Sequence, residues 1–403
     1  DRTVRLSFSA AGTLGDLGKT QLEISSPGHL DLKADAAAKN LLDANRMEAS
    51  TRFEGDFRDL AFLKALLPDT ALRRRVAIPA LIRLRGSAGA DRGTFSTAST
   101  LSADGGELSV KGRFNPREQS YDAAIRADSF PLNSFLPADS LGIVDLALQA
   151  RGTGFDPLLP RTRTSLRAQI GRAEFGGRDF GGIELDAELD SQRLSGRISD
   201  RDEALRLLLS VSGTLTEREQ RIGLSGSVFG FDLAALGVSP EPISGSFALD
   251  ASASAAGKGA YAARIALDSI EIRNKHRTDR IRPTSVSLHT DSAATRAEAA
   301  SGDLSLTFST PQSADSLIAA LTRSARTLAG QIDAQSIDME QLKPALPDFA
   351  LRVSAGPDNI LNSLLKSRKI AFDALNAEGA NCDSLPVSIR LRTEGLAYGN
   401  VVL

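Results

Sequence analysis

The chain has 403 residues, 41% of them apolar and 24% charged, which places it among ordered proteins and excludes a disordered polyelectrolyte. Its formal charge is −2 and its arginines are interleaved with Asp and Glu, so no basic patch marks a nucleic-acid partner. A single cysteine, Cys382, excludes an internal disulfide framework and a multi-cysteine metal site.

Strict alternation of apolar and polar residues dominates the chain and predicts β-strands, with the apolar set on one face of a pleated sheet. It begins at Thr3–Ala10, where Val4, Leu6, Phe8 and Ala10 alternate with Arg5, Ser7 and Ser9. Thr13–Thr20 is a near miss for a phosphate-binding loop: Thr13 stands where Gly is required, and Gln21-Leu22-Glu23-Ile24 reads as a strand rather than a helix. A β-turn is expected there.

The first of four related phrases starts at Phe57, runs through Leu60 and stops at Pro68. Each phrase predicts a short helix-like run that interrupts the strands, and three of the four stop at a Leu-Pro. Val76, Ile78, Ile82 and Leu84 form the next alternating run, and the second phrase follows with Phe130, Leu132 and Pro137. Beyond it, Ile183, Leu185 and Leu189 alternate with Glu184, Asp186, Glu188 and Asp190. Leu205, Leu207, Leu209 and Val211, then Ile222 and Leu224, continue the pattern up to the third phrase at Phe229 and Leu233.

Phe247 and Leu249 begin the next alternating stretch, and Leu304, Leu306 and Phe308 follow. Helical spacing is confined to Ser313–Ala329 and Asp358–Leu365, on either side of the fourth phrase, which carries Ile337, Leu342 and Pro347. The last alternating runs are Leu351 and Val353, then Val387, Ile389 and Leu391. The expected fold is mainly β: a long, curved antiparallel sheet of groove-like, repeating architecture with a few short helices. Phrases recurring at roughly 70 to 110 residues divide the chain into approximate repeat blocks 1–72, 73–142, 143–245, 246–350 and 351–403.

Chemical motifs are weak. Same-face carboxylates on the Glu184–Asp190 run stand about 6.8 Å apart, too far to share one ion, and Arg193 and Arg197 offer cross-strand pairing instead. His29, His276 and His289 are scattered, Cys382 has no base beside it, and Arg73-Arg74-Arg75 reads as a solvated loop with an option on anionic head groups. Neither catalytic residues, nor a metal site, nor a cofactor is expected. No window reaches the ~18 apolar residues of a membrane-spanning helix. Beginning and ending inside strand-like runs, the text reads as an internal piece of a longer protein.

The stretches Tyr121–Gly142 and Gly226–Gly237, with Ile337-Asp338 through Leu346-Pro347, resemble the TamB-type translocation and assembly proteins of the AsmA-like superfamily. The third phrase departs by ending in Gly237-Val238-Ser239-Pro240. The resemblance implies a curved sheet with an apolar concave side, in the periplasm of a Gram-negative bacterium. It implies anchoring to the inner membrane through a segment outside this chain. Its implied ligands are phospholipid acyl chains, and its implied partner is an outer-membrane barrel protein of the TamA or assembly-insertase type. The implied role is non-enzymatic phospholipid passage between the membranes, with the alternating apolar residues named above as the groove lining. The alternative is a scaffold that assists outer-membrane protein assembly and secretion by accepting strands at a sheet edge. Read from the residues alone, the apolar faces are first an ordinary dry core between two sheets, and the resemblance is what favours the lipid groove.

Overall fold

The computed structural model describes residues 3–402 apart from 14, 44, 59–75, 138–140, 258, 276, 334–337, 339–345, 368–369, 383–384 and 399–400. The chain divides into two units, Asp1–Asp202 and Glu203–Leu403.

The first unit is an antiparallel meander. Its strands are β1 (Arg5–Gly12), β2 (Leu17–Ser26), β3 (Leu30–Lys39), β4 (Glu48–Arg58), β5 (Leu81–Asp91), β6 (Thr94–Ala103) and β7 (Gly106–Asn115). They continue with β8 (Ser120–Pro131), β9 (Leu141–Thr153), β10 (Arg163–Phe175), β11 (Arg178–Phe180), β12 (Ile183–Asp190) and β13 (Arg193–Arg201). Each pairs with its neighbour in sequence; β10 is long enough to pair with both β11 and β12.

Tight turns set this register. Arg92-Gly93 and Asp104-Gly105 both take left-handed backbone angles at their two central positions (φ 47° and 87°, then 45° and 88°). That twist matches the right-handed twist of paired strands, which is why two-residue hairpins favour it. At Asn115 the side-chain oxygen instead accepts from the backbone N–H groups of Arg117 and Glu118, closing a turn around Pro116.

The second unit follows the same plan. Its strands are β14 (Leu205–Leu215), β15 (Glu219–Asp232), β16 (Ser244–Ala256), β17 (Ala260–Arg273), β18 (Thr278–Ile281), β19 (Thr284–Thr290) and β20 (Thr295–Ser301). Then come β21 (Leu304–Thr310), helix α1 (Ala314–Asp333), β22 (Phe349–Ala355), helix α2 (Ile360–Ser367), β23 (Ile370–Ala371), β24 (Ala374–Cys382) and β25 (Leu385–Glu394). β26 (Ala397–Tyr398) and β27 (Val401–Val402) form a small separate sheet with β23. The mainly β, antiparallel architecture is thus the one expected.

Both helices join adjacent antiparallel strands, at opposite rims. Helix α1 is capped by Ser313, whose hydroxyl accepts from Ser316 N, and is seated by Ala314 N donating to Thr290 Oγ1. Helix α2 is capped by Asn359, whose Oδ1 accepts from Asn362 N, and its first N–H, on Ile360, donates to Ser301 Oγ. Thr290 and Ser301 lie at the two ends of the β19–β20 ladder, so the helices flank that ladder at its two rims.

Two expectations are corrected. Val76 and Ile78 lie outside any strand: β5 begins only at Leu81, because Pro79 cannot donate to a ladder and breaks the alternating run. This segment instead runs along the rim, where Ala77 N donates to Phe135 O at 2.7 Å. The described phrases hold no α-helix, and only the second has the helix-like run expected of it. The second is a single 3-10 turn at Leu132–Ser134, and the third keeps Phe229 within β15 before a turn whose N–H groups, on Ala234 and Ala235, bond to Asp232 Oδ1. Leu60, Pro68, Ile337 and Leu342 lie outside the described residues, as do Arg73-Arg74-Arg75.

Candidate functional site

Register turns the alternating patterns of separate strands into shared rows. In the first unit, Phe8 faces Leu22, which faces Ala34, which faces Phe53 and then Gly86. The row continues through Ser99, Val110, Ile125, Leu148, Ala168, Leu185 and Ile198. It crosses every strand of the unit except the short β11 without meeting a charged side chain. A neighbouring row runs from Leu6 through Ile24, Leu32, Gly55, Leu84, Leu101, Leu108, Ala127 and Leu146 to Ile170 and Ile183. At about 4.8 Å per strand, the first row is on the order of 50 Å long.

The second unit repeats the arrangement. Val211, Leu224, Ala251, Ile265, Val286 and Ala299 form one row, continued by Leu306, Val353, Ala377 and Leu391. Beside it, Ile222, Ala253, Ala263, Leu288, Ala297, Phe308, Leu351, Gly379 and Ile389 form another. Leu207, Val228 and Phe247 face one another, as do Leu209, Gly226 and Leu249. Leu304 joins the same face opposite Ser301. Ile82, Leu189 and Leu205 also take their places on the apolar faces, opposite Phe57, Thr164 and Phe231. The side chain of Val387 lies outside the described residues.

The opposite faces carry the charge. Glu54 and Arg85 are register partners and pair at 3.0 Å; Asp122 and Arg151 do so at 2.8 Å. In the Glu184–Asp190 run, Asp186 and Asp190 meet Arg167 and Arg163 of β10 at 3.0 and 2.7 Å, while Arg197 and Arg193 stand across from the same two residues on β13, as expected. Hydrogen bonds from Arg163 and then from Ser191 hold the Asp190 carboxyl below its ordinary range.

Three glycines inside strands are explained by packing. Phe53 faces Gly86, Tyr121 faces Gly152, and Phe231 faces Gly245 across neighbouring strands. A Cβ added at Gly86 would stand 2.8 Å from the Phe53 ring, so the ring lies down across the strand where a side chain would block it. Aromatic contacts also mark the phrases: Phe130 stacks on Phe135 at 5.3 Å, and Phe231 packs on Phe247 at 5.9 Å.

What covers the apolar faces decides their meaning. Among the described residues, the main close backbone neighbours of each strand are the strands hydrogen-bonded to it. Most row residues are half-buried and their charged neighbours exposed, as in Leu84 between Arg83 and Arg85 or Leu185 between Glu184 and Asp186.

Of the phrase positions, Phe130 and Pro347 are buried, Leu132 and Leu233 are half-buried, and Pro137 and Phe229 are exposed. The residue of the third phrase that corresponds to Phe130 is Phe231. Irregularities between Ala127 and Phe130, and between Val228 and Phe231, shift each aromatic past an extra residue. Sequence reasoning missed this feature, although Asp128-Ser129-Phe130 and Asp268-Ser269-Ile270 share a legible signature. Ser129 and Ser269 both take left-handed angles (φ 47° and 51°), and the apolar residue after each is buried.

In the Thr13–Thr20 stretch, Thr13 N donates to Asp16 O and β2 begins at Leu17, so a strand stands where a phosphate loop would need a helix. Among the described residues, no three His, Cys, Asp or Glu side chains converge as a metal-ligand set. No described helix is long and apolar enough to cross a membrane. Compared with protein-family models, curated proteins and solved structures, the chain matches none.

Proposed function

We propose that each unit is a non-enzymatic surface for phospholipid acyl chains, acting in the periplasm between inner and outer membranes. The reading draws its location, and its outer-membrane barrel partner of the TamA or assembly-insertase type, from the resemblance to TamB-type proteins. The observation that supports it most is the row from Phe8 to Ile198, uncharged across the unit, with paired charges on the opposite face. Each acyl CH₂ kept from water is stabilised by about 0.8 kcal/mol, and a surface of repeated aliphatic rows supplies that stabilisation at every step without binding one lipid tightly.

A photoreactive side chain at Leu207 or Leu224 should capture phospholipid in cells, and one at Arg206 should not. Equal capture at all three positions would remove the assignment of faces. An acidic residue at Leu224 should abolish capture from Leu207, while the same charge at exposed Ser225 should leave it.

A second reading is a scaffold that accepts strands at a sheet edge. Crosslinks to outer-membrane proteins along an edge, with lipid capture at Leu224 absent, would support this role instead.

A further inference from the structure

On the charged faces an arginine commonly stands opposite a carboxylate of the neighbouring strand, as Arg85 does with Glu54, Arg151 with Asp122 and Arg352 with Glu378. The pattern breaks on the second unit between β16 and β20. Arg264 stands between Ser252 and Ser287, and Arg296 stands between His289 and Ser309. Both arginines are exposed, and neither forms an ion pair among the described residues. Asp250, one same-face step from Ser252 on β16, faces Ala266 instead.

The small side chains leave room. A hollow of about 310 Å³ lies over this part of the face, lined by Arg264, His289 and Arg296, by Ser252 and Ser287, and by a single carboxylate, Glu298. Arg221 lines it from β15 and is already held by Glu219 at 2.6 Å. Arg264 and Arg296 are two strands and one same-face step apart, about 10 Å across the ladder and about 7 Å along it. Ser287 and His289 occupy the strand between them. Setting His289 directly opposite Arg296 costs stability whenever the imidazole is charged, because like charges then face each other. Arrangements that oppose folding in this way are expected where a sequence serves a ligand.

An anion relieves the excess of positive charge. Guanidinium forks match the oxygens of a phosphate group, and serine hydroxyls and an imidazole N–H add donors. The volume suits one small ligand rather than a polymer. Glu298 adds an acceptor, which a bare phosphate cannot use and a neighbouring hydroxyl can. We propose that this hollow binds a hydroxyl-bearing phosphate ester, with Arg264 and Arg296 on the phosphate and Glu298 accepting from the hydroxyl. The site lies on the face opposite the apolar rows and does not require them to carry lipid.

Two sources share this chemistry: free glycerol phosphate and the head group of phosphatidylglycerol. Calorimetric titrations of the full chain at fixed ionic strength separate them, using glycerol 3-phosphate, inorganic phosphate, and dihexanoyl phosphatidylglycerol below its micelle concentration. Glycerol 3-phosphate should bind more tightly than inorganic phosphate, and Glu298→Ala should erase that difference. Lipid binding that glycerol 3-phosphate displaces would support the site and extend it to head groups. Arg264→Gln and Arg296→Gln should each weaken binding about tenfold, the loss of one charge-assisted contact. Ser252→Leu, at an exposed position, should fill the hollow and abolish binding with every charge kept. Arg280→Gln, exposed in the same unit but away from the hollow, should change nothing. No heat with any of the three probes would overturn the proposal, as would equal weakening by Arg280→Gln, which would mean attraction to the general charge of the unit. Binding that survives Arg264→Gln combined with Arg296→Gln would overturn it too. For the lipid, that result would place the acyl chains on the apolar rows, so failure of either surface is distinguishable from failure of the other.

Discussion

Asn362 and Phe372 hold each other from both sides. The wholly buried Asn362 side chain donates through Nδ2 to Phe372 O at 2.9 Å and accepts from Phe372 N at 3.4 Å; the same nitrogen reaches Pro357 O at 3.1 Å. One side chain thus takes the place of a strand neighbour for backbone that would otherwise be buried unpaired. Asn362→Ala should lower unfolding stability of the second unit by about 1–3 kcal/mol, the cost of leaving buried partners unsatisfied. Lys366→Ala, on the exposed side of α2, should leave the urea midpoint nearly unchanged.

The same corner carries a pH-dependent contact. Burial raises the Asp303 carboxyl, but hydrogen bonds from the Asn359 side chain and the Asp358 N–H outweigh it and hold the group below its ordinary 3.8. A depressed folded value contributes stability above the unfolded value and loses it as pH falls through the folded one. Protection of the α2 amides against hydrogen exchange should therefore be flat above about pH 4 and fall below it. In Asp303→Asn that acid-side dependence should be weaker, and an unchanged profile would assign it to another group.

Ser129 sits where only a small side chain is comfortable. Its φ of 47° is left-handed, and its N–H is fixed by Asp145 Oδ1. Ser129→Gly should be tolerated or mildly stabilising, whereas Ser129→Val should cost about 1–2 kcal/mol. Thermal unfolding of the pair measures the difference, and a valine variant as stable as the glycine variant would show that the bulge relaxes.

Period-two patterning made most strands legible because each has one apolar face, and a slip of one residue would reverse it. Ile183 to Leu189 and Leu205 to Val211 behave as read, since nothing in those runs competes with extended backbone. Val76 and Ile78 failed because Pro79 outweighs a good pattern. Helical spacing placed both ends of α1 and α2 to within four residues. The phrases misled because Leu-rich runs of a few residues suit a turn as well as a helix, and hydrogen bonds from Asp232 or a proline-led 3-10 turn settle the outcome locally. The rows were only half visible: alternation shows which residues share a face, but which leucine stands beside which depends on turn lengths and bulges.

Partners adjacent in sequence have a consequence for how such a protein comes into being. In each unit almost every strand finds its mate one hairpin away, so nothing early in the chain must wait for something late. A polypeptide delivered end first could settle ladder by ladder as it emerges, with the newest strand always serving as template for the next. Lengthening the lineage's product by another hairpin would then require no redesign of what came before it.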